Sequence, residues 1–429
     1  MSTDAWLILK NEGRRGMKIK NKWLLTILVL LVTPDLFSVA KPYPRYAIKA
    51  GKILTVTQGI TENGIVLVSR GKIEKVGVNI AIPPGYTLID ASSYWLLPGF
   101  VDFHSHSGGE GYEDLNDSVF ELNADLRVLN IVALNTPELR RAVAGGVTTI
   151  NHIPGSGSNN GGTGIIMKTA GDDLDDIILR FPGVLKIAQA GNPERPYSGE
   201  IGSGRMGMNW NLRVLIQEVR AYHDEWKKYE RGETKVKPKK DIRYEYIKNI
   251  FDNALPVFVH CCWLQPVQMV YRMYLGEFGI EGPVITHGEF GGFRNGPAIA
   301  TRKVFYDCGP RLYDFERDSF LGIITEYERG GAKGISINTD SVGGGEEKLF
   351  LQAAMAVRLG LDEQDALEGI TINGARAMKL DQRIGSIENG KDADLVVWTG
   401  NPFDIRSHTV LVLVNGRIVY DTAKDGQIY

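Results

Sequence analysis

Short apolar runs separated by turn residues dominate both ends of this chain. Ile53 to Val56, Gly64 to Val68 and Lys72 to Val76 are rich in β-branched residues. Asn63-Gly64 and Arg70-Gly71 offer turn chemistry between them. Near the other end, Asp394 to Trp398 reads as a strand. Val410 to Val414, Asn415-Gly416 and Arg417 to Tyr420 read as a hairpin, because Asn-Gly accepts the left-handed backbone of a two-residue turn. Two β-rich ends around a long middle predict one discontinuous β-sandwich domain, built from residues 41–97 and 383–429.

The middle alternates. Apolar runs recur at Phe100–Phe103, Val147–Ile150, Gly164–Met167, Val184–Ile187, Pro256–Val259, Pro283–Thr286, Lys303–Tyr306 and Gly334–Ile337. Between them lie helical stretches. Leu215, Val219, Tyr222, Trp226 and Tyr229 step by four and three, the stripe of an amphipathic helix packing on a core. Eight strands with mostly helical connections predict an α/β fold: a parallel (β/α)8 TIM-type barrel over residues 98–382.

Residues 1–40 have a different pattern. Lys18, Lys20 and Lys22 precede an apolar stretch from Trp23 to Val32 broken only by Thr26, and Ser38-Val-Ala40 offers small residues at a cleavage-site spacing. The stretch is short of the roughly 20 residues that span a bilayer. A signal peptide starting at Met17 is expected, with Met1 to Gly16 an upstream misassigned start. The mature protein then begins near Lys41, is periplasmic or secreted, and keeps no membrane span. An uncleaved membrane anchor is the alternative.

Composition narrows the class without naming a chemistry. A net charge of -2 leaves no polyanion-binding surface, and no nucleic-acid module is visible. Three cysteines, Cys261, Cys262 and Cys308, make no disulfide framework and read as small buried hydrophobes. The glycine-rich stretch from Gly155 to Gly164 lacks phosphate-cradle spacing and reads as a flexible loop over the barrel mouth.

The chemistry lies at the strand ends. In Pro98 to His106, the residues His104 and His106 sit two apart at the end of an apolar strand and so share one side. Alone, this is a common three-residue pattern. In a barrel, however, active sites gather at the C-terminal ends of the strands. His260 ends the fifth run, His287 the sixth, and Asp340 follows the eighth, so four of the seven histidines and one aspartate fall where one site must be. Neutral imidazoles and a carboxylate suit Zn²⁺ or a similar divalent ion, which turns bound water into hydroxide near neutral pH. Asp340 is placed to take the water proton and deliver it to the leaving group. Lys186, inside the fourth run, is costly to bury charged. It reads either as an ion-paired side chain or as a lysine carboxylated by carbon dioxide that bridges two metals.

These residues in this order resemble the amidohydrolase superfamily over about Ala47 to Asp421. The segment from Pro98 to His106 is similar to its first metal motif, and Ile384 to Val397 to its return into the β domain. The chain is most similar to imidazolonepropionase-like members and metal-dependent dipeptidases. Pro154 to Gly162 and Leu185 to Arg195 resemble a subgroup of exported members. The resemblance implies that His104, His106 and Asp340 hold a first metal, and that His260 and His287 hold a second if Lys186 is carboxylated. In a mononuclear version His260 joins the first set, and His287 contacts substrate or water. Asn373-Gly-Ala375 departs from the family's Asn-Pro-Ala, and Gln189 to Asn192 departs from the subgroup's Gly-Glu-Asn-Pro.

The expected activity is therefore hydrolysis of a C–N amide bond in a dipeptide-like or cyclic substrate. Lys186 favours two metals over one. The alternatives are a mononuclear deaminase and an imidazolonepropionase-like cyclic-amide hydrolase. Arg195, Tyr197, Arg205, Arg294 and Arg311 lie in strand-end loops and are candidates to grip a substrate carboxylate. The partner is a small-molecule or short-peptide amide, and the chain is compatible with a homo-oligomer.

Overall fold

A computed structural model of the chain describes residues 43–111, 113–117, 120–195, 202–316 and 318–428. The targeting segment expected within residues 1–40 lies outside the described residues. Among the described residues, no helix is long and apolar enough to cross a membrane.

Nineteen strands are present among these residues. β1 to β4 are Tyr46–Leu54, Ile60–Ser69, Lys72–Gly77 and Thr87–Pro98. β5, β6, β7, β8 and β9 are Phe100–Ser105, Val147–His152, Asn160–Thr163, Ile165–Lys168 and Ile178–Arg180. β10 to β13 are Leu185–Ala188, Val257–Cys261, Val284–His287 and Phe305–Cys308. β14, β15 and β16 are Tyr313–Glu316, Ser319–Gly322 and Ser336–Ile337, and β17 to β19 are Leu395–Trp398, Thr409–Val414 and Arg417–Asp421.

Both chain ends meet in one seven-stranded sheet of order β19-β18-β17-β4-β1-β2-β3. The expected sandwich is therefore a single hydrogen-bonded sheet, with a register shift in β1 between Ala50 and Lys52. Ile48, Ile53, Val66, Leu96 and Leu395 share one buried cluster there. Two turns form as their residues demand. Asn415 and Gly416, like Arg70 and Gly71, have positive φ and close hairpins. Asn63-Gly64 corrects the sequence reading: it lies inside β2, where Asn63 takes a φ of 51° without ending the strand. The turn falls instead at Thr55 to Gly59, closed by the Thr55 amide and hydroxyl donating to the Gly59 carbonyl.

The middle of the chain is α/β. Strands occupy all eight apolar runs, but their directions are mixed. The order is β5-β6-β8-β9 in one sheet and β16-β13-β12-β11-β10-β7 in another. β10 to β13 and β16 are parallel, as are β5 and β6. The third run corrects the all-parallel expectation. It forms β8, antiparallel to β6, while β7, just before Gly164, is antiparallel to β10. The same pairing makes a strand of residues 160–163, which read as part of a loop in sequence. A bridge between Ser105 and Ser341 joins the outer edges of the two sheets. Phe103, Ile150, Ile165, Ile187, Phe258 and Ile285 belong to one core. These runs are apolar on both faces because helices cover what the interior does not.

Local signals set the helices. Thr136 caps the helix Pro137–Ala144, its hydroxyl accepting from the Leu139 amide at 3.2 Å, with proline in the first turn. The helix Arg205–Glu230 buries Leu215, Val219 and Tyr222, three members of the stripe read from the sequence.

Below the core, β8 carries a fully buried lysine. Lys168 pairs with Asp394 and, at 3.0 Å, with Asp392, both from the segment entering β17. Removing one member of such a cluster leaves buried charge uncompensated. Lys168→Ala is expected to cost about 3–5 kcal/mol in denaturant unfolding. The exposed pair of Arg406 and Asp404 is the control, and Arg406→Ala is expected to leave the unfolding midpoint unchanged.

Candidate metal centre

The strand ends converge. β5 enters close against β6, and only glycine permits it: a Cβ on Gly99 would sit 2.0 Å from the Thr148 hydroxyl. At its far end β5 presents His104, fully buried, and the chain continues to His106. Asp340 follows β16 across the bridge of Ser105 with Ser341. His104 Nε2 and His106 Nε2 lie 3.2 and 3.3 Å from Asp340 Oδ1. One donor atom from each of these three residues falls within 4.8 Å of the other two.

His260 and His287 close the ring of imidazoles. The centroids of His260 and His287 are 4.4 Å apart, and those of His104 and His287 4.8 Å apart. Lys186, fully buried in β10, places Nζ 3.1 Å from His104 Nε2. All six residues proposed from sequence as metal-site members are thus neighbours.

Hydrogen bonds decide which nitrogen of two histidines is free. His106 Nδ1 donates to the Ile153 carbonyl at 2.8 Å, and His287 Nδ1 to the Gly309 carbonyl at 2.6 Å. Each leaves Nε2 with a lone pair directed inward, the usual arrangement of a metal-ligating imidazole. His287 Nε2 is buried with no partner. Gly309 holds that carbonyl in place at φ 148°, and a Cβ there would lie 2.1 Å from the Asn338 carbonyl oxygen. His287 and Asp340 themselves have φ of 71° and 47°. Left-handed backbone at non-glycine residues is strain that a functional site retains.

Electrostatics keep these groups in ligand form. Burial, then the neighbouring Lys186, pushes His104 well below the usual histidine range. Burial and His287 do the same to His260, and burial lowers His287 against the pull of Asp340. Burial works to raise Asp340, but its contacts with His106, His287 and Lys186 outweigh burial and hold the carboxyl below its usual range, so it stays ionised. Burial brings Lys186 down to about 8 although Asp340 and Asp307 pull upward. Neutral imidazoles, an ionised carboxylate and the orphaned His287 Nε2 are the donor set a divalent cation needs.

Behind this face lies a second layer that the sequence did not single out. The His104 amide donates to Asp102 Oδ1 at 3.2 Å, and the Thr339 hydroxyl donates to the same carboxyl. Ser105, between the two histidines, donates to the fully buried Glu346 at 2.6 Å. The His106 amide donates to the Ser341 carbonyl at 2.8 Å. These contacts tie the His-Ser-His segment to both neighbours of Asp340. Glu346 opens the short helical turn Glu346–Lys348, and an acidic residue there reads in sequence as ordinary helix-end chemistry. His152 was also missed. It ends β6, so the strand-end criterion applied to the second run would have found it. It is fully buried with Nε2 unpartnered, and burial takes it down to about 3.

A cavity of about 500 Å³ opens onto His106 and Asp340, with Asn116, Ser156, Asn192 and Arg195 in its lining. Of the candidate substrate residues that are described, Arg195 alone appears in that lining. Arg205 pairs with Glu194 at 2.8 Å and lies over Trp263. Arg311 pairs with Asp314 at 2.9 Å and lies over Phe290, and Arg294 pairs with Glu316. Tyr197 lies outside the described residues. Cys261, Cys262 and Cys308 are free and buried, as expected.

Comparison with known proteins agrees with this geometry. A family model described as "Amidohydrolase family" matches residues 320–428. The chain is 32% identical to the crystal structure of an amidohydrolase from Thermotoga maritima MSB8, covering 88% of this chain and 100% of that one, with a TM-score of 0.79. It is 26% identical over 403 residues to Amidohydrolase tasK of Hapsidospora irregularis, covering 83% of this chain but 40% of that protein's length. It is 24% identical over 378 residues to an imidazolonepropionase of Mesorhizobium japonicum, covering 79% of this chain and 87% of that one.

Two tests follow from the second layer. Glu346→Ala is expected to weaken metal binding about 10- to 100-fold in chelator competition. Burial holds the Glu346 carboxyl above its usual range, so the uncharged Glu346→Gln is expected to keep wild-type affinity. The second test concerns His152. An unfolded histidine takes up its proton near 6.5, while the folded His152 resists until about 3. Between those values the unfolded state binds more protons, so stability falls as pH drops. Chelator-treated His152→Gln is expected to lose one proton's worth of that slope, about 1.4 kcal/mol per pH unit, in denaturation between pH 6 and 4.

Proposed function

This chain belongs to the amidohydrolase superfamily, and we propose that it is an exported, metal-dependent hydrolase of a C–N amide bond in a dipeptide-like or cyclic substrate. The observation that carries this reading is the convergence of His104, His106 and Asp340 donor atoms within 4.8 Å, with His106 and Asp340 lining a cavity large enough for a small amide. We read the two central sheets as halves of a distorted (β/α)8 barrel spanning residues 98–382, with residues 41–97 and 383–429 forming the β domain. The bridge of Ser105 with Ser341 and the shared core support that reading. Export rests on the lysines and apolar stretch before Ala40.

His104, His106 and Asp340 would hold a divalent ion, for which Zn²⁺ suits the donors. When bound, such an ion supplies Lewis-acid polarisation and an activated water. Asp340, held ionised, accepts the proton of the attacking water and passes it to the departing nitrogen. His287 offers the lone pair of its unpartnered Nε2 to a proton of the attacking water or, with His260, to a second ion. Lys186 is suited to the carboxylated form: an amine brought down to about 8 has a neutral fraction at working pH, and that fraction adds carbon dioxide with loss of a proton. Its place 3.1 Å from His104 Nε2 supports a two-ion centre.

The test is a hydrolysis screen of dipeptides and cyclic amides on metal-replete protein, with ammonia release followed in parallel. Chelation is expected to abolish turnover and Zn²⁺ to restore it. Asp340→Asn is expected to lower kcat about 100- to 10,000-fold with the circular-dichroism spectrum unchanged. Turnover that survives both treatments refutes the reading.

A further inference from the structure

We propose that Arg195 is the carboxylate anchor of the cavity, so that the substrate is an amide bearing a free carboxylate. This rests on the hydrolase reading above and names the substrate class of the same site. Arg205, Arg294 and Arg311 each have a carboxylate partner within the protein. Arg195 is held only by neutral carbonyls: Nη1 donates to Asn192 O at 2.6 Å and Glu194 O at 3.3 Å, and Nη2 to Gly157 O at 2.9 Å. Glu194 is already engaged, since Oε1 accepts from both the Gly191 amide at 2.9 Å and Arg205 Nε at 2.8 Å. The guanidinium charge therefore stands unneutralised among the described residues.

A guanidinium carries five N–H groups. The three carbonyls engage Nη1 and Nη2, and no described residue engages Nε. At least two N–H groups, Nε–H among them, therefore remain for a ligand. Guanidinium donors of this kind bind the two oxygens of a carboxylate. The carbonyls hold the plane of the ring of donors, and the Arg195 amide is itself fixed by donation to Ser203 O at 2.8 Å. Arg195 lines the same cavity of about 500 Å³ as His106 and Asp340, so a substrate whose amide reaches those residues extends toward a prepared cation.

The experiment uses full-length, metal-replete protein. Paired probes differ at one group: N-acetyl amino acids and dipeptides with a free carboxylate, against the same compounds as C-terminal carboxamides. Binding is read by calorimetry and turnover separately. Wild type is expected to bind the acids about tenfold or more tighter than the carboxamides. Arg195→Gln is expected to collapse that ratio to about one. For any probe that is turned over, it raises KM about tenfold or more and changes kcat less than about threefold. Arg195→Lys restores part of the charge without the fork and is expected to fall between them. Arg406→Gln, at a distant surface pair, is the control. Equal binding of acids and carboxamides by wild type, no binding of either, or an unchanged ratio in Arg195→Gln overturns the proposal. The hydrolase reading fails by a different result, absence of any turnover sensitive to Asp340→Asn, and the calorimetric ratio still decides Arg195 in that case.

Discussion

Desolvated imidazole sets the terms for this protein. Four histidines and a lysine are packed among apolar strands where protonation of more than one would place like charges a few ångströms apart in a poorly screened interior. His104, His260 and His287 are therefore held neutral, each with a nitrogen lone pair to offer. The one carboxylate among them, Asp340, is held ionised by the same neighbours. The imidazoles of such a pocket keep lone pairs available to a cation at neutral pH. The strained backbone at His287 and Asp340 is tolerated because each aims a donor into that pocket.

Holding such donors in register needs more than the strands that carry them. Asp102, Ser105, Thr339, Ser341 and Glu346 knit β5 to the segment around Asp340 from behind. Each contact is made by a donor residue's own amide or by a residue next to one, so the spacing of His104, His106 and Asp340 is a property of the network rather than of single side chains. Burial raises Asp102 and Glu346, which lets both sit in the interior without the full cost of a charge. Where charge is retained in the interior, at Lys168 with Asp392 and Asp394, opposite charges meet directly.

The mouth of the site shows the same economy on its outer side. Arg205, Trp263, Phe290 and Arg311 form a continuous cation and ring column, with Trp263 and Phe290 stacked at 5.7 Å between the two arginines. Glu194 and Asp314 neutralise its ends. This column braces the loops after β10, β11, β12 and β13 and uses its cations for structure. Arg195, tethered by carbonyls instead, is left with charge to spend on a ligand.

Much of this was legible in the chain itself. The period of two that places His104 and His106 on one side, the eight apolar runs, and the hairpin at Asn415-Gly416 are local properties, encoded in side-chain alternation and backbone preference. The strand-end position of His260, His287 and Asp340 follows from those runs. Periodicity records which faces are buried, but not which way a strand runs or what it pairs with. So the antiparallel direction of the third run, the passage of β2 through Asn63, and the joining of both chain ends in one sheet were settled by pairing in three dimensions. The same holds for side chains whose meaning depends on a distant partner. Glu346 takes its role from Ser105, 241 residues away. Arg205, Arg294 and Arg311 differ from Arg195 only in the carboxylates that folding brings beside them. Residue type and spacing determined the chemistry available to this protein; which groups are spent on structure and which remain for a ligand was decided by tertiary contact.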